Sequence, residues 1–376
     1  RCFPCRAGDC RVRYFRLPQH DCGVKAWFRV GQLCTTGKMA VRRAARHRGR
    51  QGQRPPVARY LVGTLGAAFV GGGFAYRYRH GSQLQRDYAR LPMRGRVIIV
   101  TGASSGIGKE TARQLVSEGC NVVLACRSKQ RAAATAFEMR EKTIVDGRPS
   151  LGVAAQLMGG MAVDPMVLDL SDLDSVQQFV TEFRSKYDRL DGLVNNAATL
   201  SPTLQRTPGS GHELTWATNH AGPVLLTSLL LPLLHASPAE PGKRTARIVT
   251  VTSRLERRGQ CDPDFLVAQQ GLTRPLDAKN GYDPMGTYCD TKLCNMLHAK
   301  SLASFLDPAR VTVSTVTPGM VNTDLFRHYP AWYRLVTWPV RALYLRTPEE
   351  AAEGVVWVRN SNMQLFDNAP ASNHLH

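Results

Sequence analysis

From Arg96 onward the apolar positions fall into short β-branched runs separated by stretches of helical spacing. RVIIVTG at 96–102 is the first run; a glycine-rich turn and a helical stretch from Lys109 to Gly119 follow it, and NVVLACR at 121–127 repeats the strand signature. Later runs are MVLDL at 166–170, GLVNN at 192–196, RIVTVTS at 247–253 and VTVSTVTPG at 311–319, with helical segments between them. Strands that alternate with helices predict an α/β chain with a doubly wound parallel sheet. Between Arg131 and Pro165 the pattern completes a helix and then a loop, because GGMAVDP has little periodicity and two adjacent glycines.

The N-terminal part has another character. Tyr60 to Tyr76 runs 17 residues without a charge between Arg59 and Arg77, at the lower edge of a transmembrane helix, and its glycines at 63, 66, 71, 72 and 73 suit close helix contacts in lipid. It is the candidate anchor, with a buried loop as the alternative. Ahead of it, Met39 to Tyr60 carries seven arginines and no acid, a composition shared by transit peptides and by cytosol-facing membrane flanks. Residues 1–38, which precede the first Met, are set aside from the fold. The expected organisation is a basic extension, disordered or targeting (1–59), the candidate anchor (60–76), one folded α/β domain (93–348) and an atypical or truncated C-terminal tail (349–376) whose polar run does not read as a last strand. Trp332 to Leu345 mixes aromatic, aliphatic and Arg residues, and reads equally as a core-packing helix or as a substrate lid resting on a bilayer.

Composition narrows the function classes. Of 376 residues, 43% are hydrophobic and 21% charged, which excludes a collagen-like or wholly disordered chain. The net charge of +20 suggests nucleic acid until it is mapped: the first 60 residues hold 15 basic and 2 acidic residues, leaving 34 against 27 elsewhere. The body is only mildly basic, so no nucleic-acid partner is expected. Cys2 and Cys5 lack a second paired motif, His220, His298 and His328 lack ligand spacing, and neither H-E-x-x-H nor G-x-S-x-G occurs, so no metal is expected. The sparse cysteines of the body fit a reducing compartment.

Candidate chemistry begins at the first turn. Thr101-Gly102-Ala103-Ser104-Ser105-Gly106-Ile107-Gly108 follows a strand and opens a helix, so its backbone can approach a pyrophosphate at a helix N-terminus. Gly102, Ser104, Ser105, Gly106, Ile107 and Gly108 are therefore the candidate phosphate contacts. Arg127 ends the second strand, 19 residues after Gly108, where an NAD enzyme usually carries an acid for the ribose 2′-hydroxyl. An Arg there suits a 2′-phosphate, which makes NADP (NADPH) the expected cofactor, against the alternative of a solvated Arg at a strand end. Asp169 is placed to meet the adenine edge or, equally, to cap the helix that starts near Ser171.

Tyr288 and Lys292, four apart in YCDTKLCNMLHAKSL, share one helical face. A Lys ammonium beside a phenol favours the phenolate and lowers its pKa toward neutrality, giving an acid/base for a hydroxyl or carbonyl. Taken with the glycine turn, Asn195-Asn196-Ala197, Asn219, Ser253 and Pro318-Gly319, the chain resembles the short-chain dehydrogenase/reductase superfamily from about Met93 to Pro348. ACRS at 125–128, TNHAGPVLLT at 218–227, YCDTKL at 288–293 and the N-terminal anchor look most like its retinol-dehydrogenase-like branch.

That resemblance implies a Rossmann-type fold and hydride transfer between a nicotinamide and a lipophilic alcohol or carbonyl, retinol/retinal-like or another lipid aldehyde or ketone. It implies that Ser253 holds the substrate oxygen, Tyr288 passes the proton, and Lys292 binds the nicotinamide ribose while tuning Tyr288. Asn219 would link Lys292 to solvent through water. Asn196, Ala197, Pro318, Gly319 and Thr323 would line the cofactor. Membrane lipid is an expected partner, in the endoplasmic reticulum or the mitochondrial inner membrane, and a homodimer stays open. Three departures stand out: Ala198 replaces the usual glycine, Ser253 and Tyr288 lie 35 residues apart, so 254–287 must hold an insertion, and the C-terminus is unusual. The rival reading is a non-catalytic scaffold that binds NADP(H), against which the intact Ser253, Tyr288 and Lys292 argue.

Overall fold

The computed structural model describes residues 93–142, 144–145, 148–149, 163–236, 246–269, 271–276, 281–321 and 345–360. The basic extension (1–59), the anchor (60–76), Thr323, residues 332–344 and the tail from 361 lie outside the described residues.

Six parallel strands form one sheet: β1 (Val97–Thr101), β2 (Asn121–Cys126), β3 (Val163–Val167), β4 (Gly192–Asn195), β5 (Ala246–Val251) and β6 (Val311–Val316). Their order is β3-β2-β1-β4-β5-β6. The order reverses between β1 and β4, so successive crossovers cover opposite faces. This is the doubly wound Rossmann-type sheet that the alternating pattern predicts. A short antiparallel ladder, Ile144–Val145 against Arg148–Pro149, lies outside it.

Both faces of the sheet are buried, and the period of two in each strand deals its side chains to two cores. Ile98, Val100, Val122, Leu124, Val194, Val249 and Val316 face one core. Ile99, Val123, Leu193, Ile248 and Val313 face the other. The first core is closed by α1 (Gly106–Ser117), α2 (Lys129–Lys142) and α7 (Pro348–Asn360), which bring in Leu115, Met139 and Val355. The second is closed chiefly by α3 (Leu173–Lys186) and α4 (Leu214–Ala236), with Phe179, Phe183, Leu226 and Leu230. The Phe179, Phe183 and Tyr187 rings stack in sequence along α3. α4 is long and apolar enough to cross a membrane by length and composition, yet Leu226, Leu230 and Leu234 are fully buried, so here it serves as a core helix.

Two expectations shift. The third strand begins at Val163, three residues before the predicted MVLDL, and takes in Pro165 from the stretch predicted as loop. β3 is an edge strand, where the missing N–H of Pro165 costs no ladder bond on the open side. Leu168 then donates its N–H to Cys126 O at 2.9 Å, carrying the pairing just past the strand. The second shift is at the C-terminal boundary: α7 starts at Pro348 and buries Ala351, Ala352, Val355 and Val356, so the chain past residue 348 continues into the core.

Candidate active site

Each predicted site residue in the described part stands at or just beyond the carboxyl end of a strand, or on a helix facing those ends, which is where open parallel sheets bind ligands. The glycine turn after β1 has Gly102 at φ +66° and Gly106 at φ +56°. A Cβ on Gly108 would run into the Asn196 amide and, at 2.5 Å, into Gly102 O. These are the positions at which a side chain would close the turn. Ser105, the residue before α1, gives the helix no side-chain cap, and its first turn has no acid. Its N–H groups therefore suit an external anion, and the turn fits a dinucleotide pyrophosphate.

Asn196 holds this turn from the β4 side. Its Nδ2 donates to Thr101 O at 2.9 Å, and the Asn196 and Ala197 N–H groups both donate to Thr101 Oγ1 at 3.0 Å. The Cys126 thiol, pushed up by burial, touches Ser104 and the Ala103 backbone, so the end of β2 props the turn from below. Arg127 follows directly and is exposed. Arg131 also acts on the Cys126 thiol, which puts a second cation at this end of the site. Asp169 accepts from the Ser171 N–H at 2.9 Å and from the Ser171 hydroxyl at 2.6 Å, and the cap of α3 is Asp172 instead.

The Tyr288/Lys292 pair lies on α6 (Pro284–Phe305), with both side chains buried. Lys292 Nζ donates to Val251 O at 2.9 Å and stands 5.6 Å from the centroid of the Tyr288 ring. That bond fixes the pair beside the end of β5, and Ser253 follows two residues later. The Ser253 hydroxyl accepts from Leu255 N at 3.3 Å and opens a 3-10 helix, Arg254–Arg258. Asn219 sits in a π-helical turn of α4, Ala217–Ala221, a distortion that recurs at functional sites. Its amide clamps Thr199, accepting from N at 2.7 Å and donating to O at 2.9 Å, and reaches Thr291 Oγ1 at 3.3 Å. Pro318 and Gly319, the latter at φ +83°, follow β6; Met320 O accepts from Arg346 N at 2.9 Å, where the chain returns.

One electrostatic expectation reverses. Burial pushes the Tyr288 phenol up rather than down, while burial lowers Lys292 to about 8, with the nearby Glu256 charge opposing that change. Desolvation is the largest cause of both shifts, and for Tyr288 the neighbouring Cys289 acts in the same sense. Glu256 is itself a residue the sequence does not single out. It is buried inside RLERR, which reads as a solvated basic turn, its Oε2 has no hydrogen-bond partner, and burial raises its carboxyl.

The insertion between Ser253 and Tyr288 is docked at two further points that its sequence conceals. Arg274 forks onto Asp290 at 2.7 and 2.8 Å, and Asp290 is fully buried on α6 between Tyr288 and Lys292. Tyr282 donates to Glu213 Oε1 at 2.9 Å, and Glu213 caps the start of α4 through Thr215 N and Trp216 N. Among the described residues no group of three or more His, Cys, Asp or Glu is placed to hold a metal ion.

An anion-ready turn at the sheet's switch point, with a buried Tyr/Lys pair beyond the fifth strand, defines a nicotinamide-dependent oxidoreductase on a doubly wound sheet. The short chain dehydrogenase family model matches residues 96–261. The chain is 39% identical to dehydrogenase/reductase SDR family member 13 of Homo sapiens over 290 residues, 77% of this chain and 68% of that one. It is 33% identical to human retinol dehydrogenase 14 over 277 residues, 72% and 75% of the two chains. The solved Pseudomonas aeruginosa RhlG/NADP complex shares the fold at a TM-score of 0.52 and 22% identity, covering 73% of this chain and 95% of its own. This chain belongs to the short-chain dehydrogenase/reductase superfamily, in its retinol-dehydrogenase-like branch.

The Lys292 shift has a measurable sign. The folded chain releases that proton near pH 8 and the unfolded chain near 10.5, so the unfolded state binds more protons between those values and stability rises with pH. The penalty, about 3 kcal/mol, is fully present below pH 8. In nucleotide-free protein the melting temperature of wild type should gain on that of Lys292→Met between pH 8 and 10; a constant difference would contradict a depressed ammonium.

Proposed function

We propose that the chain is an NADP-dependent alcohol dehydrogenase or carbonyl reductase acting on a lipophilic substrate of the retinol/retinal or lipid aldehyde and ketone class. The observation that carries this reading is the buried Tyr288/Lys292 pair, fixed by Val251 O beside the end of β5. The dinucleotide would supply or accept the hydride. Tyr288 would exchange the proton with the substrate oxygen, which its raised phenol suits in the direction of carbonyl reduction because it is protonated at neutral pH. Ser253 would turn its hydroxyl to the same oxygen, Lys292 would hold the nicotinamide ribose, and Asn219 would hold the β4 loop that Asn196 and Ala197 begin. Thr323, beyond Pro318 and Gly319, would meet the carboxamide, and Asp169 the adenine edge.

NADP rests on Arg127, exposed after β2 with Arg131 nearby, where an NAD site would want an acid. The lipophilic substrate rests on likeness to relatives named retinol dehydrogenases and on the uncharged Tyr60–Tyr76 segment. Membrane association follows from the same two supports, and a bilayer would then deliver the substrate.

Three measurements test this. With NADPH and a panel of lipophilic aldehydes and ketones, Tyr288→Phe should lose at least nine-tenths of the turnover while still binding NADPH, because only the proton donor is removed; a variant that keeps more disproves the role. A wild type that binds NADPH yet turns over no member of the panel would restore the scaffold reading. Arg127→Asp should shift the ratio of kcat/KM for NADPH over NADH toward NADH, and an unchanged ratio removes Arg127 from the site. Carbonate extraction of cells expressing the chain from Met39 should leave it in the pellet and release a form lacking residues 60–76. Release of both would sink the anchor.

A further inference from the structure

The insertion touches α6 at three successive positions. At Gly259 a Cβ would meet Cys289 O at 2.7 Å and Leu293 Cβ at 2.8 Å, so the backbones lie in close contact. Gln260 then donates its N–H to Asp290 Oδ1 at 2.5 Å. Next, the Cys294 thiol, buried on α6, points at Cys261 Sγ at 3.3 Å, and Cys261 itself is exposed. The close approach and the Gln260 bond hold the Cys261 backbone in place, and Asp262 follows at once as the cap of α5 (Pro263–Ala268), accepting from Asp264 N and Phe265 N. The two sulfurs therefore face each other across a pinned junction. A bond of ~2.05 Å needs them to close by roughly 1.3 Å, within reach of rotamer adjustment.

We propose that Cys261 and Cys294 form a reversible disulfide by exchange with a low-molecular-weight disulfide such as oxidised glutathione, fastening the insertion to the helix that carries Tyr288 and Lys292. Cys261, open to solvent, is the first to react. It releases its proton to water, and the resulting thiolate attacks one glutathione sulfur, forming a mixed disulfide and expelling one glutathione thiolate. Cys294 then gives up its proton to that thiolate and attacks Cys261 Sγ, expelling the second glutathione thiolate, which takes a proton from water. Two protein thiols lose two electrons and two protons; one glutathione disulfide gains them as two thiols. Cys294 is the second sulfur and not the first, since burial both hides it and raises its thiol. Reduced glutathione reverses the sequence, so the link would follow the redox poise of the surroundings. The closed loop contains Arg274 and Tyr282, the two side chains that already dock the insertion.

The test uses the full chain incubated with oxidised glutathione, blocked with iodoacetamide under denaturing conditions, and digested with trypsin without reduction. Lys279 and Lys292 place Cys261, Cys289 and Cys294 on separate tryptic peptides, so each pairing has its own mass. The expected result is a Cys261 peptide joined to a Cys294 peptide in most of the molecules, absent after dithiothreitol. Cys294→Ser should stop at Cys261 linked to glutathione, and Cys261→Ser should leave Cys294 alkylated as a free thiol. The proposal is overturned if wild-type Cys261 and Cys294 are both recovered alkylated, if wild type stops at the glutathione adduct, or if Cys261 pairs with another cysteine.

Discussion

Thr101, fully buried at the end of β1, holds the two halves of this molecule together where they diverge. Its hydroxyl accepts the N–H groups of Asn196 and Ala197 and donates to Val194 O at 3.3 Å, while its carbonyl takes the Asn196 amide. β1 and β4 are neighbours whose following crossovers leave to opposite faces of the sheet, so a crevice opens between them by topology alone. Left to itself, that crevice would expose the last polar backbone groups of two strands. The Thr101 and Asn196 bonds satisfy those groups and fix the separation of the glycine turn from the β4 loop. The close approach of Gly108 to Asn196 and Gly102 then follows, because the amide that fastens the strands fills the space a side chain would need.

From that fixed edge the polar chemistry spreads onto α6, which is unusual for a core helix. It buries Tyr288, Asp290, Thr291, Lys292 and Asn295 within about two turns. Such groups are tolerated in an interior only with partners. Lys292 finds Val251 O, Asp290 finds Arg274 and Gln260 N, Asn295 finds His220 and the Asn219 carbonyl, and Thr291 finds the Tyr288 carbonyl and the Asn219 amide. Every one of these partners but the Tyr288 carbonyl comes from another element, so α6 is held by β5, α4 and the insertion together. The insertion is thus part of the candidate site's support: removing the Arg274 guanidinium would leave a fully buried carboxylate between Tyr288 and Lys292 without its cation, a loss of the kind that costs several kcal/mol.

This distribution explains which features the sequence makes readable. Strands β1, β2 and β4 lie inside the sheet and survive as short apolar runs, and β5 and β6 keep enough β-branched residues, Ile248, Val249 and Val251 and then Val311, Val313 and Val316, for pattern alone to find them. β3 lies at the edge and carries Asp164 and Pro165, and its run is displaced three residues from the observed strand. The glycine turn and the Tyr/Lys spacing are legible because their chemistry needs fixed residues at fixed intervals. The fold of the insertion is not, because Glu256, Arg274 and Tyr282 have the composition of a solvated loop: the structure buries Glu256 and docks the half-buried Arg274 and Tyr282 on Asp290 and Glu213. The direction of the Tyr288 shift escaped for the same reason: spacing reveals the charge neighbour and says nothing of the lost water.

Burial acts on three ionisable groups of the site in one sense. It raises Tyr288 and Glu256 and lowers Lys292, so each is moved toward its uncharged form. The phenol keeps its proton throughout the neutral range, whereas Lys292, at about 8, lies closest to gaining or losing one there. Lys292 is also the group whose ammonium already has an acceptor in Val251 O and a carboxyl nearby in Glu256. A proton leaving Tyr288 would therefore place negative charge on a ring whose centroid lies 5.6 Å from that ammonium, in a water-poor interior where attraction between opposite charges is stronger than at the surface. Under the proposed function, the phenol would hold its proton at rest and the adjacent ammonium would stabilise the phenolate once that proton had gone.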